Sequence, residues 1–476
     1  MKFRNTYSYF LAITFIFFFF TACEKENPNE NNNNDDEGFT NEEVSEWIYE
    51  WMNTIYLWND QIPGNLNPAN ESDPSAFFYS LLYDQEDIWS FITDDFESFK
   101  AELSGTPMSM GYSPAFGRYS DSDGVFIIVE YVIPNTPASE AGLERGDIII
   151  SIDDTELDTT NFSGLYSQQD YSAGLAYYNG NSLVPTGETV DLAAEMITSS
   201  PVIHQEIINY QNTKIGYLVY VDFLSGMNDM FVTQLDDVFS AFADSAIDEL
   251  IIDLRYNPGG EVTMASYLAS SIAPASVASS SNVLVSYVYN NYLNNLFLQE
   301  GGENSSDLNL FFTSTGINLD MSDVYFMTTS GTASASELVI TGLDPYMNVT
   351  SVGETTFGKY TGAWVFPDTE EPPRHNYAIV PIVLKYANSE GITEFVDGLE
   401  PDYAIEDQLL GAKPFGDFTD PILAKTLEVI TGVNPLPDLK KSYKRKNYDI
   451  IPNRKKILLR SVQIKEKNVR EFIRKK

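Results

Sequence analysis

The sequence predicts an α/β protein of several domains, with an N-terminal helical segment, a β-rich middle domain and an α/β core built on a mixed sheet. The chain of 476 residues is too long for one ordinary domain. Apolar residues recur at helical spacing between residues 44 and 57, and from residue 214 onward β-rich runs alternate with amphipathic helical runs. With 43% hydrophobic residues, the chain can bury sizeable cores.

The N-terminus carries the features of an export signal. Lys2 and Arg4 precede a 13-residue apolar run, which is too short to span a bilayer and suits a secretory signal over residues 1–22. Small residues then lead into Cys23, the only cysteine, in a pattern that resembles a bacterial lipoprotein signal. We therefore expect Cys23 to be lipidated and the protein to be membrane-anchored in the bacterial cell envelope. An ordinary secretory signal with an incidental cysteine is the alternative.

The two segments that flank the globular part differ in charge. Residues 23–38 contain no large apolar side chain and predict a disordered tether. Residues 436–476 form a basic tail, since 440–476 hold 15 of the 28 Lys and Arg and only three acids. We expect either a solvated or partly helical tail, which could lie on the chain's own acidic surface, or contact with anionic lipid or polysaccharide. The net charge of −41 argues against nucleic acid as a partner of the main body.

Residues 39–105 are predicted to be helical. Val44, Trp47, Ile48 and Trp51 are spaced so that they share one helical face, and acidic residues lie early in the run. We interpret these aromatic residues as core positions and not as a cofactor site.

Residues 106–200 resemble a PDZ domain of the type found in bacterial proteases. The resemblance rests on a strand, a short helix and a second strand punctuated by glycines, with the motif residues Pro137, Ala138, Ala141, Gly142, Leu143, Gly146, Asp147 and Ile149. PDZ domains bind an extended chain end as an added strand. The resemblance implies that a terminal carboxylate meets the backbone N–H groups of Met110, Gly111 and Tyr112. A role as a spacer or regulator alone remains the alternative.

The segment TTSGTASASELVITGL, residues 328–343, crowds hydroxyl groups ahead of an apolar helix. Ser334 and Glu337 have the spacing of a capping box, so Ser334 could simply cap the helix. The same position lies beside free N–H groups and the positive end of the helix dipole, where the N–H of Ala335 could stabilise an oxyanion. Ser334 is therefore also a candidate nucleophile, and it needs a base.

The candidate base is a lysine. Only two histidines occur, His204 and His375, and neither lies in a Gly-rich or small-residue context, so a Ser/His/Asp triad is not expected. Lys359 lies in the apolar context TTFGKY. A lysine acts as a general base only when it is neutral, which requires burial to lower its pKa. Lys359 is otherwise an ordinary surface charge.

Four motifs in order resemble the C-terminal processing (tail-specific) serine peptidases; they occupy residues 253–260, 332–337, 356–359 and 398–402. The resemblance implies that Ser334 is the nucleophile, that Lys359 is the base, and that the N–H groups of Gly259, Gly260 and Ala335 hold the oxyanion. It also implies a spiral core similar to those of ClpP and crotonase over residues 201–435, and a reaction without metal or cofactor.

One position departs from the family pattern. Many members carry a glutamine four residues after the lysine, where this chain has Ala363. Either another group orients Lys359, with Asp344 as a weak candidate, or the enzyme is slower. We therefore predict a lipid-anchored serine endopeptidase that acts on unfolded or C-terminally recognised polypeptides. A non-catalytic peptide- or ligand-binding lipoprotein on the same fold is the alternative, a purely structural surface lipoprotein is a weaker one, and the oligomeric state stays open.

Overall fold

A computed structural model of the chain describes residues 39–370, 373–393, 395–436, 448–451 and 462–463. The predicted signal segment, the tether and Cys23 lie outside these residues. Within the described part, no helix combines the length and the apolar character needed to cross a membrane.

The N-terminal region is mainly helical, as its sequence predicts. Thr40 begins the first helix with a capping box, because the Glu43 N–H donates to the Thr40 hydroxyl (3.3 Å) and the Glu43 carboxylate accepts from the Thr40 N–H (2.8 Å). The predicted apolar face is buried and joins the largest core cluster of the molecule. The elements are α1 (Asn41–Ile55), 3-10 turns at Asn59–Gln61 and Pro68–Asn70, α2 (Pro74–Ser80), β1 (Phe91–Thr93) and α3 (Phe96–Leu103).

The middle region is β-rich and encloses an apolar core of its own. Its elements are β2 (Met108–Ser109), β3 (Tyr112–Tyr119), β4 (Val125–Val132), α4 (Pro137–Glu140), β5 (Ile148–Ile152), β6 (Thr155–Glu156), α5 (Phe162–Tyr166), β7 (Asp170–Tyr178), β8 (Leu183–Ala193) and β9 (Glu195–Met196). The strands β3, β4, β5, β7 and β8 pair in that order, all antiparallel.

The remaining elements form the α/β core. They are β10 (Val202–Tyr210), β11 (Thr213–Tyr220), a 3-10 turn at Met227–Asp229, α6 (Met230–Asp244), β12 (Glu249–Asp253), α7 (Val262–Ile272), α8 (Ala275–Ala278), β13 (Val283–Tyr289), α9 (Asn291–Gly301), β14 (Asn309–Phe311), β15 (Asp323–Thr328), α10 (Ala335–Leu343), β16 (Asn348–Gly353), β17 (Thr361–Trp364), β18 (Phe366–Pro367), β19 (Ala378–Val380), β20 (Ile382–Asn388), β21 (Tyr403–Ala404) and α11 (Pro421–Thr431).

The predicted mixed sheet is confirmed. Its six strands run in the order β10-β11-β12-β15-β16-β21, and only the β10–β11 pair is antiparallel. Every residue of α10 is buried, so this helix lies inside the core and carries its N-terminus into the interior. A second sheet, with β13, β20 and β17 as neighbours, packs against the same apolar cluster.

Two short strands of the basic tail are described, and neither is helical. Strand β22 (Tyr448–Ile451) pairs antiparallel with β3 at the edge of the middle sheet. Strand β23 (Val462–Gln463) pairs parallel with β17 of the core. Local sequence does not indicate these two strands, because each completes the hydrogen bonding of a sheet edge through a long-range contact. The solvated or partly helical character of the tail as a whole stays a prediction.

A buried ionic cluster joins the middle region to the core. The Arg255 guanidinium lies 2.8 Å from Asp253, 3.2 Å from Asp407 and 2.9 Å from Asp420. Arg145, from the turn before β5, approaches Asp407 and Asp420 to 3.9 Å each. The two regions are therefore connected through charges as well as through the chain.

Candidate active site

Ser334 lies at a sharp turn between a strand and a helix. Strand β15 ends at Thr328, and α10 begins at Ala335. Ser334 has φ +56° and ψ −110°, a backbone conformation that non-glycine residues rarely adopt and that costs on the order of 1–3 kcal/mol. Such strain persists only where the surroundings enforce it, and it is typical of functional turns.

The crowded hydroxyl groups around Ser334 have separate roles. The hydroxyls of Thr332 and Ser336 donate to backbone carbonyls in the segment after β12, at 2.8 and 3.1 Å, and so tie the turn to the neighbouring strand. Ser330 is exposed to solvent. Ser334 is buried and lines a small cavity. Among these hydroxyls, that of Ser334 is the one placed at both the helix start and a cavity.

Two buried side chains hold Ser334 and Lys359 together. One carboxylate oxygen of Glu337, Oε2, accepts the N–H of Ser334 (2.8 Å) and the N–H of Lys359 (2.9 Å). The Tyr386 hydroxyl lies 3.1 Å from the carbonyl oxygens of the same two residues. The structure therefore brings the two predicted catalytic residues next to each other, although 25 positions separate them in sequence.

Lys359 is fully enclosed, with 1% of its surface exposed. Burial lowers the pKa of Lys359 to about 7, and the negative charges of Asp87 and Glu337 oppose this shift without cancelling it. The preceding glycine, Gly358, makes the enclosure possible: its φ is +93°, and a Cβ there would lie 2.3 Å from the Val396 carbonyl oxygen. A lysine in this setting is largely neutral above pH 7.

Glu337 is the central acceptor of the site. Besides the two N–H groups above, its Oε1 accepts the Gly358 N–H (2.7 Å) and the Thr356 hydroxyl (2.5 Å). Burial raises the pKa of Glu337 to about 7, against the lowering effect of these hydrogen bonds. From sequence, Glu337 was only the third residue of a capping box; its link to the lysine loop arises from tertiary contact.

The predicted oxyanion donors are placed differently from one another. The Gly259 N–H donates to the Asn257 side-chain oxygen at 2.9 Å, and its role as an oxyanion donor stays a prediction. Gly260 and Ala335 both line the small cavity at Ser334. Ala335 is the first residue of α10, so its N–H has no intrahelical acceptor. The roles of Gly260 and Ala335 as oxyanion donors likewise stay predictions.

Both glycines keep a structural role at this turn. A Cβ on Gly259, whose φ is +110°, would lie 2.8 Å from Ser334 Cβ. A Cβ on Gly260, whose φ is +140°, would lie 2.3 Å from the Phe223 carbonyl oxygen. Only glycine therefore allows this loop to approach Ser334 so closely.

Two cavities lie beside the turn that carries Ser334, residues 329–334. The smaller, of about 20 Å³, is lined mainly by apolar or small side chains: Gly260, Val262, Tyr287, Ser334, Ala335, Leu338, Thr361, Gly362, Ala363, Leu384 and Tyr386. The larger, of about 830 Å³, lies between the middle region and the core and reaches Ser330 and Gly331. The larger cavity thus reaches the turn three residues before Ser334.

Other residues considered from sequence lie away from this centre. His204 is partly exposed next to Glu206 (3.4 Å), and His375 packs against Trp47 in the N-terminal region. Asp344 is exposed at the end of α10.

The residues predicted to bind a carboxylate lie at the start of β3. Met110 and Tyr112 are buried in the core of the middle region, and the Tyr112 hydroxyl lies 2.6 Å from that of Tyr171. The Gly111 N–H donates to the Ser109 hydroxyl (3.1 Å). Their role in binding a chain end stays a prediction.

Two residues near Lys359 escaped the sequence analysis. Asp87 is buried in the turn before β1, where it accepts the Tyr56 hydroxyl (2.8 Å) and the N–H groups of Trp89 and Ser90 (3.0 and 2.9 Å). Tyr386 lies on β20. Both are far from Lys359 in sequence and occur in no local pattern that indicates chemistry.

Comparison with known families gives three matches along the chain. The model of the peptidase S41 N-terminal domain matches residues 43–91, that of the PDZ domain matches residues 128–165, and that of peptidase family S41 matches residues 214–405. The three matches follow the order of the helical, β-rich and α/β regions.

Individual relatives agree with these matches. The chain is 24% identical to a carboxyl-terminal-processing protease of Synechocystis over 340 residues, 70% of this chain and 69% of the relative. It is 24% identical to a carboxy-terminal-processing protease of Bartonella bacilliformis over 58% of each chain. A solved structure from Bacteroides fragilis, provisionally described as an S41 protease, superposes with a TM-score of 0.67 at 26% identity, covering 81% of this chain and 97% of that one.

Proposed function

Because the chain belongs to peptidase family S41 and is a serine-type peptidase, we propose that Ser334 and Lys359 form its catalytic dyad. The observation that carries this proposal is the pair of shared contacts. One Glu337 oxygen accepts both N–H groups, and one Tyr386 hydroxyl contacts both carbonyls. The two residues are thereby held in a fixed relation, as nucleophilic catalysis requires.

The proposed reaction follows from the state of each group. Neutral Lys359 takes the proton of the Ser334 hydroxyl as its oxygen attacks the scissile carbonyl carbon. The N–H groups of Gly260 and Ala335 stabilise the resulting oxyanion. The Lys359 ammonium then gives its proton to the leaving amine, which leaves an acyl ester on Ser334. Lys359, neutral again, deprotonates the water that hydrolyses this ester.

Asp87 is proposed as the positioning residue that replaces the family glutamine. Ala363, at the glutamine position, offers no hydrogen-bonding side chain. Asp87 is buried, and its charge raises the pKa of Lys359. The turn that carries it packs on the lysine loop, since the Trp89 and Tyr360 rings lie 5.9 Å apart in an edge-to-face contact. The negative charge of Asp87 thus stabilises the Lys359 ammonium that forms in the first step.

The substrate and location are proposed more broadly. The relatives are named for processing carboxyl termini, and the PDZ-like region supplies a sheet edge suited to extended polypeptide. We propose that the enzyme cleaves unfolded or C-terminally recognised polypeptides captured by this region. Cys23, after its apolar signal, is proposed to be lipidated and to anchor the enzyme in the bacterial cell envelope.

The dyad is tested by casein cleavage between pH 6 and 10. The chain from residue 24 is compared with Ser334→Ala and Lys359→Ala, and Ser330→Ala is the matched control because Ser330 is an exposed serine of the same turn. We expect each dyad variant to lose at least about 10³-fold in kcat/KM and the control to retain activity. Activity of the intact chain should rise through about pH 7 as Lys359 becomes neutral.

Two results would contradict the assignment. Substantial cleavage by folded Ser334→Ala would exclude Ser334 as the nucleophile. A rate that does not change between pH 6 and 8 would show that the base does not titrate there. Circular dichroism of each variant separates loss of chemistry from loss of folding.

A further inference from the structure

The PDZ-like sheet carries an added strand from the same chain. In β22, Tyr448 opposes Tyr119, Asp449 opposes Arg118, Ile450 opposes Gly117 and Ile451 opposes Phe116. Strand β3 would otherwise be the open edge of this sheet, because its other neighbour is β4. Binding of an extended segment to a sheet edge is the way in which PDZ domains take their ligands.

The side chains of β22 fit this edge on both faces. Ile451 packs against the apolar cluster of the middle region that contains Phe116, whose ring lies 5.2 Å from those of both Phe162 and Tyr166 on α5. On the opposite face, Tyr448 packs against Phe126 with ring centroids 5.8 Å apart. The acid Asp449 lies opposite the base Arg118, a favourable cross-strand pair.

The bound segment is not a chain end. Residues 452–476 follow Ile451 in the sequence. The antiparallel register directs the chain from Ile451 toward the start of β3, where Gly111 and Tyr112 lie. The groove therefore accommodates a strand whose chain continues past it, and binding at this register does not require a free carboxylate.

The same tail also reaches the catalytic centre. Residues of β22 line the 830 Å³ cavity together with Ser330 and Gly331 of the turn that carries Ser334. Strand β23 pairs with Ala363 and Trp364, and Ala363 lines the small cavity at Ser334. The tail thus occupies two places that an entering polypeptide would need.

We infer that the groove between β3 and α5 binds internal extended segments with an aromatic residue, an acid and two aliphatic residues in succession, and that Tyr448–Ile451 is its resident ligand. Polypeptide substrates must displace this ligand, so the tail restrains the enzyme. The inference rests on the proposed function for its catalytic consequence, but the binding itself does not depend on catalysis.

Tethering makes the resident ligand a strong competitor. A segment joined to its own site by a flexible chain acts at an effective concentration on the order of millimolar. The chain with its tail in place therefore binds an external peptide that makes the same contacts more weakly than a chain whose tail is displaced does. The basic character of the tail, about +12 over residues 440–476 in a chain of net charge −41, adds attraction to the acidic body.

The test measures binding of a fluorescent peptide with the sequence of residues 445–455 by anisotropy. The protein is the chain from residue 24 carrying Ser334→Ala, with either the native tail, Ile451→Asp or Ile450→Asp. Ile451→Asp places a charge in the apolar cluster and releases the tail. Ile450→Asp is the matched control, because Ile450 is 39% exposed on the same strand.

We expect Ile451→Asp to bind the peptide at least about 10-fold more tightly than the native tail does, and Ile450→Asp to change the affinity less than about 3-fold. A peptide carrying the same Ile-to-Asp change should not bind. Equal affinity for all three proteins would show that Tyr448–Ile451 does not compete for the groove. Absence of binding to every protein would show that the groove does not bind such segments.

Catalysis provides a second readout. In the active chain, Ile451→Asp should lower KM for a substrate that contains the YDII segment and leave kcat unchanged. Because the binding assay uses Ser334→Ala, the two proposals fail separately. Inactivity of every variant would reject the peptidase proposal, whereas an unchanged peptide affinity would reject the tail proposal.

Discussion

Lys359 and Arg255 are two cationic side chains buried to the same extent, each 1% exposed, but their environments have opposite effects. Three carboxylates lie within 3.2 Å of the Arg255 guanidinium, and they raise its pKa well above the ordinary value despite the cost of burial. Around Lys359 the charges of Asp87 and Glu337 do not offset desolvation, and its pKa falls to about 7.

The difference shows that burial alone does not make a cation into a base. A guanidinium stays protonated in proteins and is suited to bind several carboxylates, so Arg255 binds three carboxylates of the core, two of which also approach Arg145 of the PDZ-like region. An ammonium loses its proton when desolvation exceeds charge compensation. The partial compensation at Lys359 places its pKa near neutrality, where a general base is most effective.

The largest expected effect is the loss of stability on replacing Arg255, the buried cation whose charge three carboxylates balance. Arg255→Met leaves Asp253, Asp407 and Asp420 buried without their main partner and should lower the free energy of unfolding by about 3–5 kcal/mol. Urea denaturation at pH 7.5 measures this loss. Lys425→Met is the control, because the Lys425–Glu428 pair is about one-third exposed and should matter by less than about 1 kcal/mol. Equal effects would mean that the buried cluster is not structural.

Replacing Lys359, whose charge the nearby carboxylates balance only in part, should instead raise the stability. Lys359→Met abolishes the proposed base but also removes the penalty of keeping a lysine neutral. Since its folded pKa is depressed from 10.5 to about 7, the wild type has its full stability above pH 10.5 and loses stability as the pH falls toward 7.

At pH 8 the Met variant should therefore be more stable by about 3 kcal/mol, a gain that disappears near pH 11. Urea denaturation at these two pH values checks this. A variant less stable than the wild type at pH 8 would show that Lys359 stabilises the fold as Arg255 does.

The smallest expected effect comes from removing one of the negative charges that raise the pKa of Lys359. Asp87→Asn removes a charge that raises the pKa of Lys359, so the acid limb of the kcat/KM profile should move to lower pH by about 0.5–1 unit. Casein cleavage between pH 5 and 9 measures the limb. Asp84→Asn, an exposed acid of the same segment, should leave it in place. A reduced rate without a shifted limb would limit Asp87 to a structural role.

The sequence predicted the parts of this site that are local. The order of domains, the helix start at Ala335 and the candidates Ser334 and Lys359 follow from motifs and spacing within a few residues. Tyr386 and Asp87 reach the site from positions 52 residues after Ser334 and 272 residues before Lys359, and nothing in their local sequence marks them. These two residues come close to the site only because of how the core packs.

The state of the Gly259 N–H depends on long-range contacts in a similar way. The glycine motif predicts a loop that lies close to Ser334, and this loop is present. The Asn257 side chain accepts the Gly259 N–H (2.9 Å) and donates to the Tyr220 carbonyl (3.0 Å), so this side chain decides whether the Gly259 N–H is bonded within the protein. A side-chain choice of this kind is made by neighbouring strands and is not visible in the spacing of a motif.

The strand that covers β3 also bears on how the protein behaves at high concentration. Without β22, the edge of the PDZ-like sheet would present a row of backbone N–H and C=O groups that another molecule can pair with. A chain shortened before residue 448 is therefore expected to self-associate through this edge and to lose solubility. We therefore expect strand β22 to limit aggregation of the protein, independently of any effect on its substrates.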